Sequence, residues 1–231
     1  MQKVKEKDYG GKMLGNPKNA FWEAFLLAVV VFILGLLLGV AYETSRYQEM
    51  NQYYVKSELA LMDVFAFSNL IDVQNTSCNQ LVQYNIDFAN RIYDEAVLLE
   101  NYEKSGKITD ETKLAHKKYD LMRTLLWIDV IKTREKCSQS FDSVVYLYEY
   151  NTNDLDIRAT QNVWSKVLYD LKQEKGDKII LISIAVDNPE IRSIQDMSRN
   201  FNISKYPAVV INDKTVITDL SSASDLEKYL D

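Results

Sequence analysis

An apolar anchor, an antiparallel helical stalk and a C-terminal α/β domain form the architecture this sequence predicts, on three observations. Residues 21–42 are apolar throughout except for Glu23 at the edge. From about residue 47 to 136, apolar residues recur at helical spacing. Beyond residue 141, short β-rich runs alternate with helical ones. The 231 residues divide accordingly into a tail (1–20), a span (21–42), a stalk (43–137) and an α/β domain (138–231). Seven Gly and three Pro are too few for collagen-like repeats or extended disorder. The net charge is −6, with Lys and Arg scattered among Asp and Glu. There is no basic stripe, so nucleic acid is not an expected partner.

The run from Phe21 to Tyr42 has the roughly 20 residues that cross a ~30 Å hydrocarbon core. Trp22 and Tyr42 stand at its ends, where aromatic rings favour the interface. Gly35 and Gly39 make a GxxxG that can bring two anchors together, so a homo-oligomer is an open expectation. Lys3, Lys5, Lys7, Lys12 and Lys18 precede the span, and Arg46 is the base nearest after it. This asymmetry predicts a cytoplasmic N-terminus and extracytoplasmic domains after Tyr42. A cleaved signal peptide is the competing reading, because Gly39-Val40-Ala41 resembles a cleavage site. The apolar run is longer than the ~7–15 residues of a signal core, which favours an uncleaved signal-anchor. Asn75-Thr76-Ser77 and Asn202-Ile203-Ser204 match the glycosylation acceptor pattern and agree with an outside location.

A coiled-coil-like register continues the helix outward. One track is Tyr47, Tyr54, Leu61 and Ser68, the other Met50, Ser57, Val64 and Ile71. Asn75-Thr76-Ser77 breaks it. A second helix is predicted from about Cys78 to Lys104, with Leu81, Phe88, Ile92 and Leu99 on its apolar face. Ser105-Gly106-Lys107 is a turn. Thr109 or Asp110 can cap a third helix to about Lys136, with Leu114, Leu121, Leu125 and Ile128 as its stripe. Helices of near-equal length joined by a short turn lie antiparallel. That brings together Cys78 and Cys137, the chain's two cysteines. Outside the cytoplasm they are expected to form a structural disulfide. A redox-active pair and unpaired or metal-bound thiols are the alternatives. Two cysteines and the single His116 fall short of a four-ligand zinc site, so no metal is expected. His116 reads as a solvated helix residue. No GxSxG, P-loop or HExxH motif occurs, and neither catalytic residues nor a cofactor are predicted.

Ser138-Gln139-Ser140 reads as a linker. Val144–Tyr148 is β-rich, Ile157–Lys175 is helical, Gly176-Asp177 breaks that helix, and Lys178–Val186 is a buried-type strand. Asp187-Asn188-Pro189-Glu190 begins another helix with Pro189 near its first turn. Tyr206-Pro207 leads into a strand at Ala208–Ile211, a turn at Asn212-Asp213-Lys214, a strand at Thr215–Thr218 and a last helix capped by Ser224. The order β-α-β-α-β-β-α fits parallel strands joined by helical crossovers, with an antiparallel hairpin at the end.

This stretch resembles the thioredoxin family. Phe201-Asn202-Ile203-Ser204-Lys205-Tyr206-Pro207-Ala208-Val209-Val210-Ile211 looks like that family's approach to its cis-proline strand, and the resemblance covers residues 142–231. The family's Cys-x-x-Cys belongs between the first strand and the first helix. Counting back from Asp187 puts Arg158-Ala159-Thr160-Gln161 there; counting forward puts Asn151-Thr152-Asn153-Asp154 there. Neither contains a thiol, and thiol–disulfide exchange requires a thiolate. The resemblance therefore implies a redox-inactive thioredoxin-like domain with a cis Tyr206-Pro207 bond. Its binding surface is expected at residues 151–161, with Arg158, Ala159, Thr160 and Gln161, together with Tyr206 and Pro207. The expected function is binding or scaffolding of a polypeptide or membrane-protein partner on the extracytoplasmic side. The alternatives are an architectural subunit of an envelope complex and a thiol–disulfide oxidoreductase using Cys78 and Cys137.

Overall fold

The structure, a computed structural model, describes residues 17–73, 76–104, 110–137 and 141–230. Lys3, Lys5, Lys7, Lys12, Asn75, the turn at 105–107 and the linker at 138–140 lie outside the described residues. So do the side chains of Lys18, Tyr47, Met50, Tyr54, Ser57 and Ile71. The chain divides into two units, Met1–Val55 and Lys56–Asp231. Helix α1 (Pro17–Val73) supplies the described part of the first and the beginning of the second.

In the first unit, Ala20–Ser45 has a mean hydropathy of 3.0 and none of it is buried. Apolar residues point outward all round the helix, with Leu27 and Leu38 about 70% exposed (68% and 72%). A helix that is apolar on every face needs apolar surroundings. This helix is long and apolar enough to cross a membrane. Phe21, Trp22 and Phe25 pack ring against ring at its start.

The second unit is mostly helical around one mixed four-stranded sheet. Its elements after α1 are α2 (Cys78–Lys104), α3 (Asp110–Cys137), β1 (Asp142–Tyr148), α4 (Leu155–Lys175), β2 (Ile179–Ala185), α5 (Arg192–Asn200), β3 (Ala208–Ile211), β4 (Thr215–Ile217) and α6 (Ala223–Leu226). The sheet order is β2-β1-β3-β4. β1 and β2 are parallel, while β3 runs antiparallel to both β1 and β4. Alternation along β1 feeds two cores, because successive side chains point to opposite faces. Val145 and Leu147 meet residues of α2, α3 and α5. Val144 and Tyr146 meet α4 and α6 through Trp164, Leu168, Leu171 and Leu226.

Helix α3 belongs to the sheet as much as to the hairpin. Asp120 accepts a hydrogen bond from the Ala185 N–H at 3.2 Å. Farther along, Trp127 Nε1 donates to Asp213 at 3.1 Å, and Arg134 forms a buried ion pair with the same carboxylate at 3.5 Å. Asp213 lies in the β3–β4 turn, where Asn212 and Asp213 have φ of 53° and 58°. The Lys214 N–H donates to the Ile211 carbonyl, so Asn212 and Asp213 are the two central residues of the turn, and Asn and Asp tolerate positive φ there. The predicted division at 138 therefore falls within a shared core: Met122, Leu126 and Val130 of α3 lie in the same cluster as Val145, Ile182 and Val210.

The predicted stripe of α2 is the observed one: Leu81, Phe88, Ile92 and Leu99 are all buried. For α3 the buried apolar residues are Ala115, Tyr119, Met122, Leu126, Trp127 and Val130, while Leu114 is exposed. Boundaries also moved. Asp154 caps α4, accepting from the N–H groups of Asp156 and Ile157, so that helix starts at Leu155 rather than Ile157. Pro189 lies in a turn ahead of α5, and Ser222, not Ser224, caps α6. Cys78 and Cys137 form a disulfide with a Cα–Cα distance of 5.4 Å.

Candidate functional site

β1 and β2 end side by side, with Tyr148 opposite Ala185. In open α/β sheets, ligands gather beyond the carboxyl ends of such strands. Here the loop after β1 is held from several directions. Asp187 accepts from the N–H groups of Tyr150 and Asn151 at 2.9 and 2.6 Å. Gln161 of α4 pairs with the backbone of Glu149 in both senses: it accepts from the N–H at 2.7 Å and donates to the C=O at 3.1 Å. Arg158 donates to the Thr152 carbonyl at 2.8 Å.

Arg158–Gln161 thus stand in the first turns of α4 rather than in the loop. Arg158 and Gln161 fix the loop, Thr160 donates back to the Asp156 carbonyl at 2.8 Å, and Ala159 is exposed. Tyr206 and Pro207 follow a different course. Their peptide bond is cis. Ala208 pairs with Leu147, which puts Pro207 by register at the carboxyl end of β1. Pro207 is buried, and Tyr206 packs against the core shared with α3 and α5.

Helix α3 completes the site with a row of polar groups. Burial raises the Asp120 carboxyl to about 6; the Ala185 N–H, Arg123 and His116 oppose that rise, and Asp187 adds to it. Arg123 donates to the Tyr119 hydroxyl at 2.6 Å, with its guanidinium carbon 3.9 Å from the ring centroid. Burial pushes Tyr119 up to about 12 and raises Tyr148 also, with Arg123 opposing both. Lys117 pairs with Glu190 at 2.7 Å. His116, expected to be solvated, is partly buried, its ring 4.5 Å from that of Tyr150. Burial thus keeps both phenols protonated as hydrogen-bond donors, while one oxygen of Asp120 accepts from a backbone N–H.

From this polar end a cleft of about 1000 Å³ runs along β2. One wall is α2, through Ile86, Ala89 and Tyr93; the other is α4, through Asn162, Ser165 and Tyr169. Arg158 and Gln161 line it, and Tyr206 and Pro207 are not among its lining residues. Sequence reasoning missed Asp120, Arg123, Tyr148 and Asp187. Nothing local marks Asp120: Lys117-Lys118-Tyr119 precede it and Leu121-Met122-Arg123 follow, the setting of an ordinary solvated helix carboxylate. The disulfide is remote: Cys137 lies fourteen positions beyond Arg123 along α3, roughly 20 Å at 1.5 Å per residue. Among the described residues, no group of three or more His, Cys, Asp and Glu side chains is placed to hold a metal ion.

No family model matches the chain, and no curated protein matches it. Among solved structures, one described as the structure of a malarial protein aligns with 39% of this chain and 93% of its own. The identity is 18% and the TM-score 0.31, a likeness too slight to bear on fold or function.

Proposed function

We propose that this chain is a membrane-anchored, redox-inactive thioredoxin-like protein that binds a polypeptide or membrane-protein partner on the extracytoplasmic side. The observation that carries the reading is the chemistry of the first turn of α4. Asp154, Leu155, Asp156, Ile157 and Arg158 stand there without a thiol. Both cysteines are joined to each other at the far end of the helical hairpin. Carboxylates at a helix N-terminus cannot carry out thiol–disulfide exchange. The strand order β2-β1-β3-β4 and the cis bond before β3 agree with the resemblance in residues 142–231. The lysines before the span support an N-in orientation.

The test uses the full chain in native membranes, with photo-crosslinkers at Tyr206 and at Tyr150 beside the cleft. Capture of one defined polypeptide from these positions supports the reading. Protease added outside should digest the region after residue 45. Protection of that region until the membrane is permeabilised would reverse the orientation.

A second reading, an architectural subunit held through its helices, is favoured by one observation. Leu59, Met62 and Phe65 of α1 are each more than 60% exposed (62%, 63% and 62%) and occupy neighbouring positions on one helix face. Capture from Met62 with none from Tyr206 or Tyr150 would select it.

A further inference from the structure

Among the described residues β2 is an edge strand, paired with β1 alone. The Val186 N–H donates to the Tyr148 carbonyl, so even-numbered residues of this segment turn their backbone groups toward β1. Successive residues of a strand alternate in direction. Ile179, Leu181, Ser183 and Ala185 therefore turn theirs toward the open side. Two side chains confirm that direction independently. Lys172 of α4 donates to the Ile179 carbonyl at 2.9 Å, and Asp120 of α3 accepts from the Ala185 N–H at 3.2 Å.

Both ends of the edge are thus capped and its middle is open. The outward N–H and C=O groups of Leu181 and Ser183 have no hydrogen-bond partner among the described residues. Neither residue is fully buried, and both lie on the floor of the cleft between α2 and α4. An uncovered hydrophobic edge invites a further strand. Here the two caps set the length of the opening, and the apolar walls would receive alternate side chains of the incoming strand.

We infer that β2 is a strand-addition site for an extended partner segment, apolar at alternate positions and flanked by acidic residues. Charge selects that occupant. Arg123, Arg158 and Lys172 line the cleft against one carboxylate, Glu149. This local excess of positive charge stands in a chain of net charge −6. The inference rests on the polypeptide-binding reading above but moves the contact from Tyr206-Pro207 to the β2 edge.

The probe is a fluorescein-labelled peptide of alternating Val and Thr between Asp residues, titrated against the full chain in nanodiscs by fluorescence polarisation. Its twin carries Lys in place of Asp, and a third peptide is N-methylated at alternate amides. The acidic peptide should bind at least about tenfold more tightly than either of the others, a difference worth ~1.4 kcal/mol. Hydrogen exchange at the Leu181 and Ser183 amides should slow when it binds. Ser183→Pro removes only an outward N–H, which an edge strand tolerates, and should weaken binding about tenfold. Should that variant fail to fold, the N-methylated peptide makes the same test on the unaltered protein. Failure of the acidic peptide to bind at millimolar concentration, or binding without protection of β2, overturns the inference. Loss of binding in Tyr206→Ala but not Ser183→Pro would also overturn it, while leaving the polypeptide-binding reading intact. A dimer that Ser183→Pro dissociates would make a second copy the occupant and overturn it too.

Discussion

Asn212 and Asp120 carry heavier duties than their sequence positions advertise. The Asn212 carboxamide accepts from the Ser143 N–H at 2.9 Å and donates to Asp142 at 2.6 Å and to the Tyr229 carbonyl at 3.1 Å. Its backbone is also in the left-handed region. Asn212→Gly keeps that conformation but strands buried partners, which should cost ~2 kcal/mol. Asn212→Ala should cost ~1 kcal/mol more, because a Cβ disfavours positive φ. Urea unfolding separates the two, and equal losses would remove the backbone argument. Asp120 tests burial. Its carboxyl rises from 3.8 to about 6 on folding, so the folded state holds the proton more tightly than the unfolded chain does. Its contribution is therefore most favourable below about pH 4 and declines as pH rises through about 6. The full difference corresponds to ~3 kcal/mol. Asp120→Asn retains an acceptor for the Ala185 N–H without the charge. Its melting temperature should exceed the parent's at pH 7 by about 5–10 °C, with the gap closing toward pH 4. A gap independent of pH would show that ionisation of Asp120 is not what costs stability.

At the scale of elements, the hairpin of α2 and α3 separates what a sequence can reveal from what it cannot. Helix α2 buries one face, and a single 3.6-residue period exposes that face in the sequence: Leu81, Phe88, Ile92 and Leu99 are all core. Helix α3 is covered by α2 on one side and by the sheet on another, so no single stripe describes it. Asn85 of α2 reaches it from one direction, donating to Thr133 at 2.8 Å, and Asp213 binds Trp127 and Arg134 from another. The same reasoning explains the site. Gln161 and Arg158 were legible as neighbours of the β1–α4 loop, because they follow it in sequence. Asp120, Tyr148 and Asp187 meet only through the packing of α3 on the sheet, which local periodicity cannot encode. The cysteine pair was legible because two equal helices and a short turn bring their outer ends together. Closing 59 residues of chain with this disulfide should contribute ~4 kcal/mol by constraining the unfolded state. The double replacement Cys78→Ser with Cys137→Ser should lower the melting temperature by about 8–16 °C. A change of only a degree or two would mean that the reduced hairpin is already constrained by its packing.

Across the whole molecule, the two units divide the physical problem between them. Among the described residues, every buried apolar side chain lies at or beyond Ala60, and both faces of the sheet draw their cores from the unit Lys56–Asp231. The first unit offers the opposite surface: a continuous apolar exterior between Ala20 and Ser45 with no buried residue. Its stability depends on surroundings less polar than water, whereas the second unit carries its own interior. A chain beginning at Lys56 should therefore be soluble and fold without detergent. Its melting temperature should match that of the same unit within the full chain in nanodiscs to about 2 °C, the scale of a surface change well away from any core. The near-ultraviolet signals of Trp127 and Trp164, both fully buried, report whether each face of the sheet is packed. If the shortened chain melts much lower or loses those signals, residues before Lys56 contribute to the interior, and the span is part of the fold rather than its tether.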